Sequence, residues 1–180
     1  MPRQVLEVFL SSTAKDLEPF RRAVHARLVR SGQFHCVWQE DFGPQSATVI
    51  DVCRTKVESA DVFVGLVGLR RGWEPAGDTS HRSITEMEHD WAAGAAKPCY
   101  VWITPNNFSV AGDLREPDAQ HERQQAFRAS LMADGALVIS QHGFGSPELL
   151  AADITEHLLT AELLASLQKR GKVADAGAPD

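Results

Sequence analysis

"DVFVGLVG" runs from Asp61 to Gly68, and after its first residue every side chain is apolar or absent. A run without polar alternation predicts a central strand covered on both faces, because each face of the sheet then meets apolar atoms. Helices must supply those two covers, so the surrounding chain decides whether this strand has its fold.

Towards the N-terminus, "SATVIDVCRTKVESA" (46–60) reads as a helix with Val49, Val52, Cys53 and Val57 on one side. "FHCVWQ" (34–39) is strand-like, "KDLEPFRRAVHARLVRSG" (15–32) is helical, and "VLEVFLSS" (5–12) is a strand ending in hydroxyl residues. The helix places Leu17, Phe20, Val24, Leu28 and Val29 at helical spacing and closes on Gly32, which suits a left-handed cap. Towards the C-terminus come a helix in "HRSITEMEHDWAAG" (81–94), a buried strand "PCYVWIT" (98–104) and a polar loop from Pro105 to about Gln120. A weaker helix (121–135), a short strand "ALVIS" (136–140) and a long leucine-rich helix (146–171) follow, the last with Leu150, Ile154, Leu158, Leu163 and Leu167 as its core face. Residues 1–171 are expected to form a single α/β domain, with "KVADAGAPD" (172–180) as a flexible tail or linker.

Strand–helix alternation implies a parallel sheet between two helix layers, and right-handed crossovers leave few topologies. The expected fold is a three-layer flavodoxin-like sandwich with a parallel five-stranded sheet in the order 2-1-3-4-5. Ligands in such sheets sit beyond the carboxyl ends of the strands where the order switches. That point lies between "SST" (11–13) and "GLRRGW" (68–73).

Composition narrows the function. The chain has 180 residues, 43% of them hydrophobic, and a net charge of -6. Acidic residues are spread along it, which argues against a general nucleic-acid binder with its basic face. Cys36, Cys53 and Cys99 are an odd number without metal-like spacing, so buried free thiols and a reducing compartment are expected. There is no signal-peptide pattern and no apolar run of membrane-spanning length, so a cytoplasmic location away from membranes is expected. Neither a P-loop, a G-x-G-x-x-G after the first strand, an H-E-x-x-H nor a G-x-S-x-G occurs. No metal and no cofactor are expected.

The helix after the central strand carries two glutamates. Ser83-Ile84-Thr85-Glu86 matches a capping box, in which the Glu86 carboxylate reaches back to the Ser83 N–H. On a projection of about 100° per residue, Ile84, Met87, Trp91 and Ala95 form one apolar stripe. Glu88 falls inside that stripe and Glu86 opposite it, so Glu86 should face water and Glu88 the sheet. A carboxylate turned inwards near a strand-end cleft is a candidate site residue. The structural alternatives are a partly buried Glu88 paired with Arg70 or Arg71, or one that snorkels at the rim.

"VFLSSTAKDLEPFRRAV", "EDFGPQSATVIDVCRTKVESADVFVGLVGLRRGWEP" and "SITEMEHDWAAGAAKPCYVWI" together resemble the domain-of-unknown-function family numbered 4062. That family is TIR-like and is found at the N-terminus of larger proteins with a STAND-type NTPase or repeat regions. The layout is more distantly similar to TIR domains and nucleoside 2-deoxyribosyltransferases, in which a Glu on the helix after the third strand works at the ribose anomeric carbon. The spacing to "AAKP" (95–98) puts Glu88, not Glu86, at that position. Thr85 stands where TIR enzymes often carry Cys. "QEDFGPQS" (39–46) falls where TIR domains carry a self-association loop, the BB loop.

The resemblance implies cleavage of the N-glycosidic bond of NAD, as substrate, or of a related nucleotide, with Glu88 stabilising or trapping an oxocarbenium-like centre. Thr85 could bind a ribose hydroxyl, and Ser11, Ser12 and Thr13 a ribose or phosphate. Arg70 or Arg71 could hold a pyrophosphate and Trp73 could stack on a base. Plainer readings stand beside these: an N-cap at "SST", solvated loop arginines, and a Trp73 that only covers the cleft edge. The other functional readings are a non-catalytic interaction and oligomerisation module and, third, a nucleoside deoxyribosyltransferase-like enzyme. Expected partners are further copies of the chain and an NTPase or repeat region in a longer parent chain.

Overall fold

The computed structural model describes residues 5–13, 15–42, 47–77, 79–133, 137–138 and 143–160. Its elements run β1 (Leu6–Ser12), α1 (Glu18–Arg30), β2 (Phe34–Trp38), α2 (Ala47–Ser59), β3 (Val62–Val67), α3 (Ile84–Gly94), β4 (Cys99–Ile103), α4 (Asp118–Ala133), β5 (Leu137–Val138) and α5 (Pro147–Leu158). All strand pairs are parallel. The order is β2-β1-β3-β4-β5, the last member being only two residues long. Six consecutive residues of β3 are buried, as its unbroken apolar run requires.

Alternation along each strand divides the core. Val8 and Leu10 of β1 and Val64 and Leu66 of β3 share one cluster with Leu28 of α1 and with Leu150, Ile154 and Leu158 of α5. Phe9 and Phe63 pack with Val57 of α2 and Ala92 of α3 in a second cluster. Val67, Val101 and Ile103 meet Phe127 and Leu131 of α4 in a third. Each fully buried Leu, Ile, Val or Phe contributes about 1.5–3 kcal/mol of transfer free energy, so the two covered faces hold the sheet together.

Three expectations about helices need correction. Val29 is 49% exposed and Val52 is 40% exposed. The buried stripe of α1 is instead Arg21, Val24 and Leu28, and a residue one step beyond Leu28 turns about 100° away from it. Arg21 enters this stripe because its guanidinium carbon lies 5.5 Å from the centre of the Trp38 ring, a cation–π contact. In α2 the buried pair is Cys53 and Val57, with Val52 off their axis for the same reason. The last helix ends at Leu158, capped through Leu159, and does not run on as one helix to 171. Leu163, Leu167, the 172–180 tail and the side chain of Val49 lie outside the described residues, as do residues 43–46 of the expected BB loop.

Gly32 has φ 66° and follows α1, as its cap role predicts. All three cysteines are free, Cys36 and Cys53 buried and Cys99 partly so. Among the described residues no helix is long and apolar enough to cross a membrane, and no group of His, Cys, Asp and Glu could hold a metal ion.

Candidate functional site

Helix α3 begins where the Ser83 hydroxyl accepts the Glu86 backbone N–H at 3.2 Å. Its buried face consists of Ile84, Thr85, Glu88 and Ala92, while Met87 and Trp91 are only half-buried. The inward face is therefore rotated towards Glu88, which sits at its middle and is 4% exposed.

The partner of Glu88 is Ser11 on β1. Ser11 follows Phe9 on the same sheet face by strand alternation and lies in register with Gly65 of β3. Its hydroxyl donates to Glu88 Oε2 at 2.5 Å, and Ser11 itself is 1% exposed. Among the described residues no ion pair involves Glu88. Burial therefore pushes its carboxyl up to about 7, against the opposing pull of the Ser11 hydrogen bond. Cys53 of α2 is also near: burial first, and the Glu88 charge second, push its thiol up to about 12. It is an inert thiol at neutral pH.

A cleft of about 230 Å³ lies at the carboxyl ends of β1 and β3, lined by Ser12, Thr13, Arg70, Trp73 and Thr85 among others. Five of the eight candidate residues thus converge at the order switch. Ser11 and Glu88 do not line the cleft; they are buried, with Thr85, one turn from Glu88 on α3, forming part of the lining. Lys15 and Gln39 also line it. The sequence reading missed both, although Gln39 directly follows β2 and Lys15 stands two residues beyond the "SST" stretch.

The helix start does not use "SST" as a cap. The N-cap of α1 is Leu17 and carries no side-chain cap hydrogen bond, so these hydroxyls have other partners and the free N–H groups of α1 begin further along. Ser12 donates to the Thr13 carbonyl at 3.2 Å. Thr13 donates to Asp16, which also accepts the Arg70 backbone N–H at 3.4 Å. Asp16 was missed, yet Thr13-x-x-Asp16 has the spacing of a local side-chain pair. Burial raises the Asp16 carboxyl in spite of hydrogen bonds from Thr13 and Arg70 that lower it. A Cβ on Gly68 would collide with the Asp16 carboxylate, so any side chain here must push Asp16 off its hydrogen bonds with Thr13 and Arg70.

Arg71 takes a different place from Arg70. It is 3% exposed and donates from Nε to Glu74 Oε1 at 2.6 Å, and from Nη2 to Glu86 Oε2 at 2.6 Å and to the His81 carbonyl at 2.7 Å. It is not part of the cleft lining. Glu86 likewise neither faces water nor folds back to Ser83: its side chain is 22% exposed and paired with Arg71. A buried guanidinium left unpaired is strongly unfavourable, and it draws in the carboxylates within reach. Arg123 of α4 grips Glu74 at 2.9 and 3.0 Å, tying the β3–α3 segment to α4.

The sheet order, the two helix layers and the cleft at the β1/β3 switch define a TIR-like α/β domain. The chain belongs to the family described as a domain of unknown function, DUF4062, whose model matches residues 7–159. That span exceeds the motifs quoted above and takes in α4 and α5. Among solved structures, the chain is similar to the TIR domains in the structure of the activated Roq1 resistosome directly recognizing the pathogen effector XopQ, with 14% identity and a TM-score of 0.54. The likeness covers 86% of this chain and 99% of that one. It is a likeness of fold. No curated protein matches the sequence.

Proposed function

We propose that this chain is a TIR-like signalling or defence module that cleaves the N-glycosidic bond of NAD or a related nucleotide when copies cluster. The observation that carries this reading is the Glu88 carboxyl: buried beside the order switch, hydrogen-bonded by Ser11 and without an ion pair among the described residues. Cleavage breaks the bond between the anomeric carbon and the base nitrogen, the electron pair leaving with the base. The ionised Glu88 stabilises the oxocarbenium-like centre until water adds there and releases its proton. Thr85, Ser12 and Thr13 are assigned to ribose hydroxyls, Arg70 to a phosphate and Trp73 to a ring. Arg71 is assigned to the scaffold. No cofactor enters this chemistry; NAD is substrate.

Glu88 is 4% exposed, so the reading requires assembly to open the floor of the cleft. The similar TIR domains come from an assembled resistosome, which supports self-association here. A parent chain with an NTPase or repeat region would supply the trigger.

The buried position of Glu88 behind the cleft lining favours one competing reading, a non-catalytic module that recruits or oligomerises. Nicotinamide release from NAD by bead-clustered wild type and Glu88→Ala separates the two. Release by the wild type alone supports cleavage; equal rates reject the role given to Glu88.

A further inference from the structure

Three successive backbone N–H groups after β3 are directed at side-chain carboxylates. Arg70 N–H donates to Asp16, Arg71 N–H to Glu116 Oε2 at 2.6 Å, and Gly72 N–H to Glu116 Oε1 at 2.9 Å. Gly72 has φ 78°, the left-handed conformation that helps turn neighbouring N–H groups to one side. The Arg70 guanidinium adds a fourth donor, Nη2, 3.1 Å from Glu116 Oε1. Consecutive N–H groups arranged this way make an anion-binding concavity, and the planar guanidinium fork suits phosphate. Here the anion is the protein's own. Glu116 arrives from the polar stretch between β4 and α4, and its side chain is 7% exposed.

A cavity of about 330 Å³ adjoins this carboxylate. Leu69, Phe108, Val110 and Leu114 give it apolar walls, and Arg115, His121 and a second acid, Asp118, complete the lining. Its size lies at the small end of the range for small-molecule sites. The cavity thus has an apolar body and one end of two N–H donors and a guanidinium, already occupied by Glu116.

We propose that Arg70, Arg71 and Gly72 form a binding site for the phosphate of an organic phosphate with a flat apolar body, and that Glu116 is a built-in occupant displaced by the ligand. The apolar body lies against Leu69, Phe108 and Leu114. The two bonds from backbone N–H groups and the guanidinium contact pass from Glu116 to the phosphate, and Arg115 favours the incoming charge while Asp118 opposes it. Because Glu116 is tethered, it competes at high effective concentration, and the site of the wild type binds weakly. The proposal stands whether or not Glu88 cleaves a nucleotide; Arg70 lines both clefts, and its guanidinium serves one phosphate at a time.

Calorimetric titration of the full chain with phenyl phosphate tests this, using the wild type, Glu116→Gln, Glu116→Ala and Glu116→Gln combined with Arg70→Gln. Both single variants should bind at least roughly tenfold more tightly than the wild type. Adding Arg70→Gln should abolish the gain, and inorganic phosphate should bind the single variants more weakly than phenyl phosphate. Glu116→Gln keeps an oxygen acceptor for the two N–H groups, so it reports even if Glu116→Ala fails to fold. Equal affinity of wild type and Glu116→Gln, or a gain that survives Arg70→Gln, would overturn the proposal.

Discussion

Glu88 and Glu86 stand two residues apart and meet opposite surroundings. The helical projection correctly turned Glu88 inwards, because its position relative to Ile84 and Ala92 is a matter of period alone. The same projection misplaced Glu86, because its partner Arg71 is 15 residues away in the chain and leaves no periodic trace. This contrast has consequences for stability. The folded protein holds the Glu88 proton up to about pH 7, whereas the ordinary value is 4.5. The stabilising effect of that proton is full below pH 4.5 and is lost as pH rises to 7, a change of up to about 3 kcal/mol. Glu88→Gln keeps an acceptor for Ser11 and should remove this pH dependence. Chemical denaturation at pH 5 and pH 8 should show it much more stabilised, relative to wild type, at the higher pH. For Glu86→Ala, the Ser83 cap remains, since it binds the residue 86 backbone. The loss falls on buried Arg71, which retains Glu74, so about 1–3 kcal/mol is expected from urea midpoints.

The elements were legible wherever one face is uniformly apolar. β3 and the stripe of α5 up to Leu158 follow from their sequences directly. The end of α5 was not legible, because the leucines beyond it continue a helical rhythm that the chain leaves at Leu159. The segment between β3 and α3 was opaque for another reason. Its shape depends on Asp16, Glu116 and Arg123, which come from three other parts of the chain. Of the candidate residues there, Arg70 could not be told from Arg71 by sequence, yet one lines the cleft and the other locks the loop. Gly68 marks the tightest point. Gly68→Ala should force Asp16 aside and destabilise the chain by about 1–3 kcal/mol, and it should shift the amide resonances of Arg70 and Thr13 while leaving those of α5 unchanged.

At the scale of the whole molecule, a sheet covered on both faces fixes where the cleft lies: at the carboxyl ends of β1 and β3, with α3 supplying Glu88 from one face. The opposite face is closed by α1 and α5, where Leu150, Ile154 and Leu158 are each 0% exposed. Ile154→Ala should cost about 2–5 kcal/mol in urea denaturation. Family membership agrees with the architecture, and the proposed chemistry rests on one buried acid. The most direct test follows initial rates of nicotinamide release from NAD by the clustered chain between pH 5 and 9, for wild type, Glu88→Gln and Glu86→Ala. The wild-type rate should rise with pH as Glu88 ionises, through an apparent pKa raised above the ordinary carboxylate range only as far as Glu88 stays buried in the cluster. Glu86→Ala should keep that profile and Glu88→Gln should fall to background. A Glu88→Gln rate equal to the wild type across this range would contradict the role of Glu88.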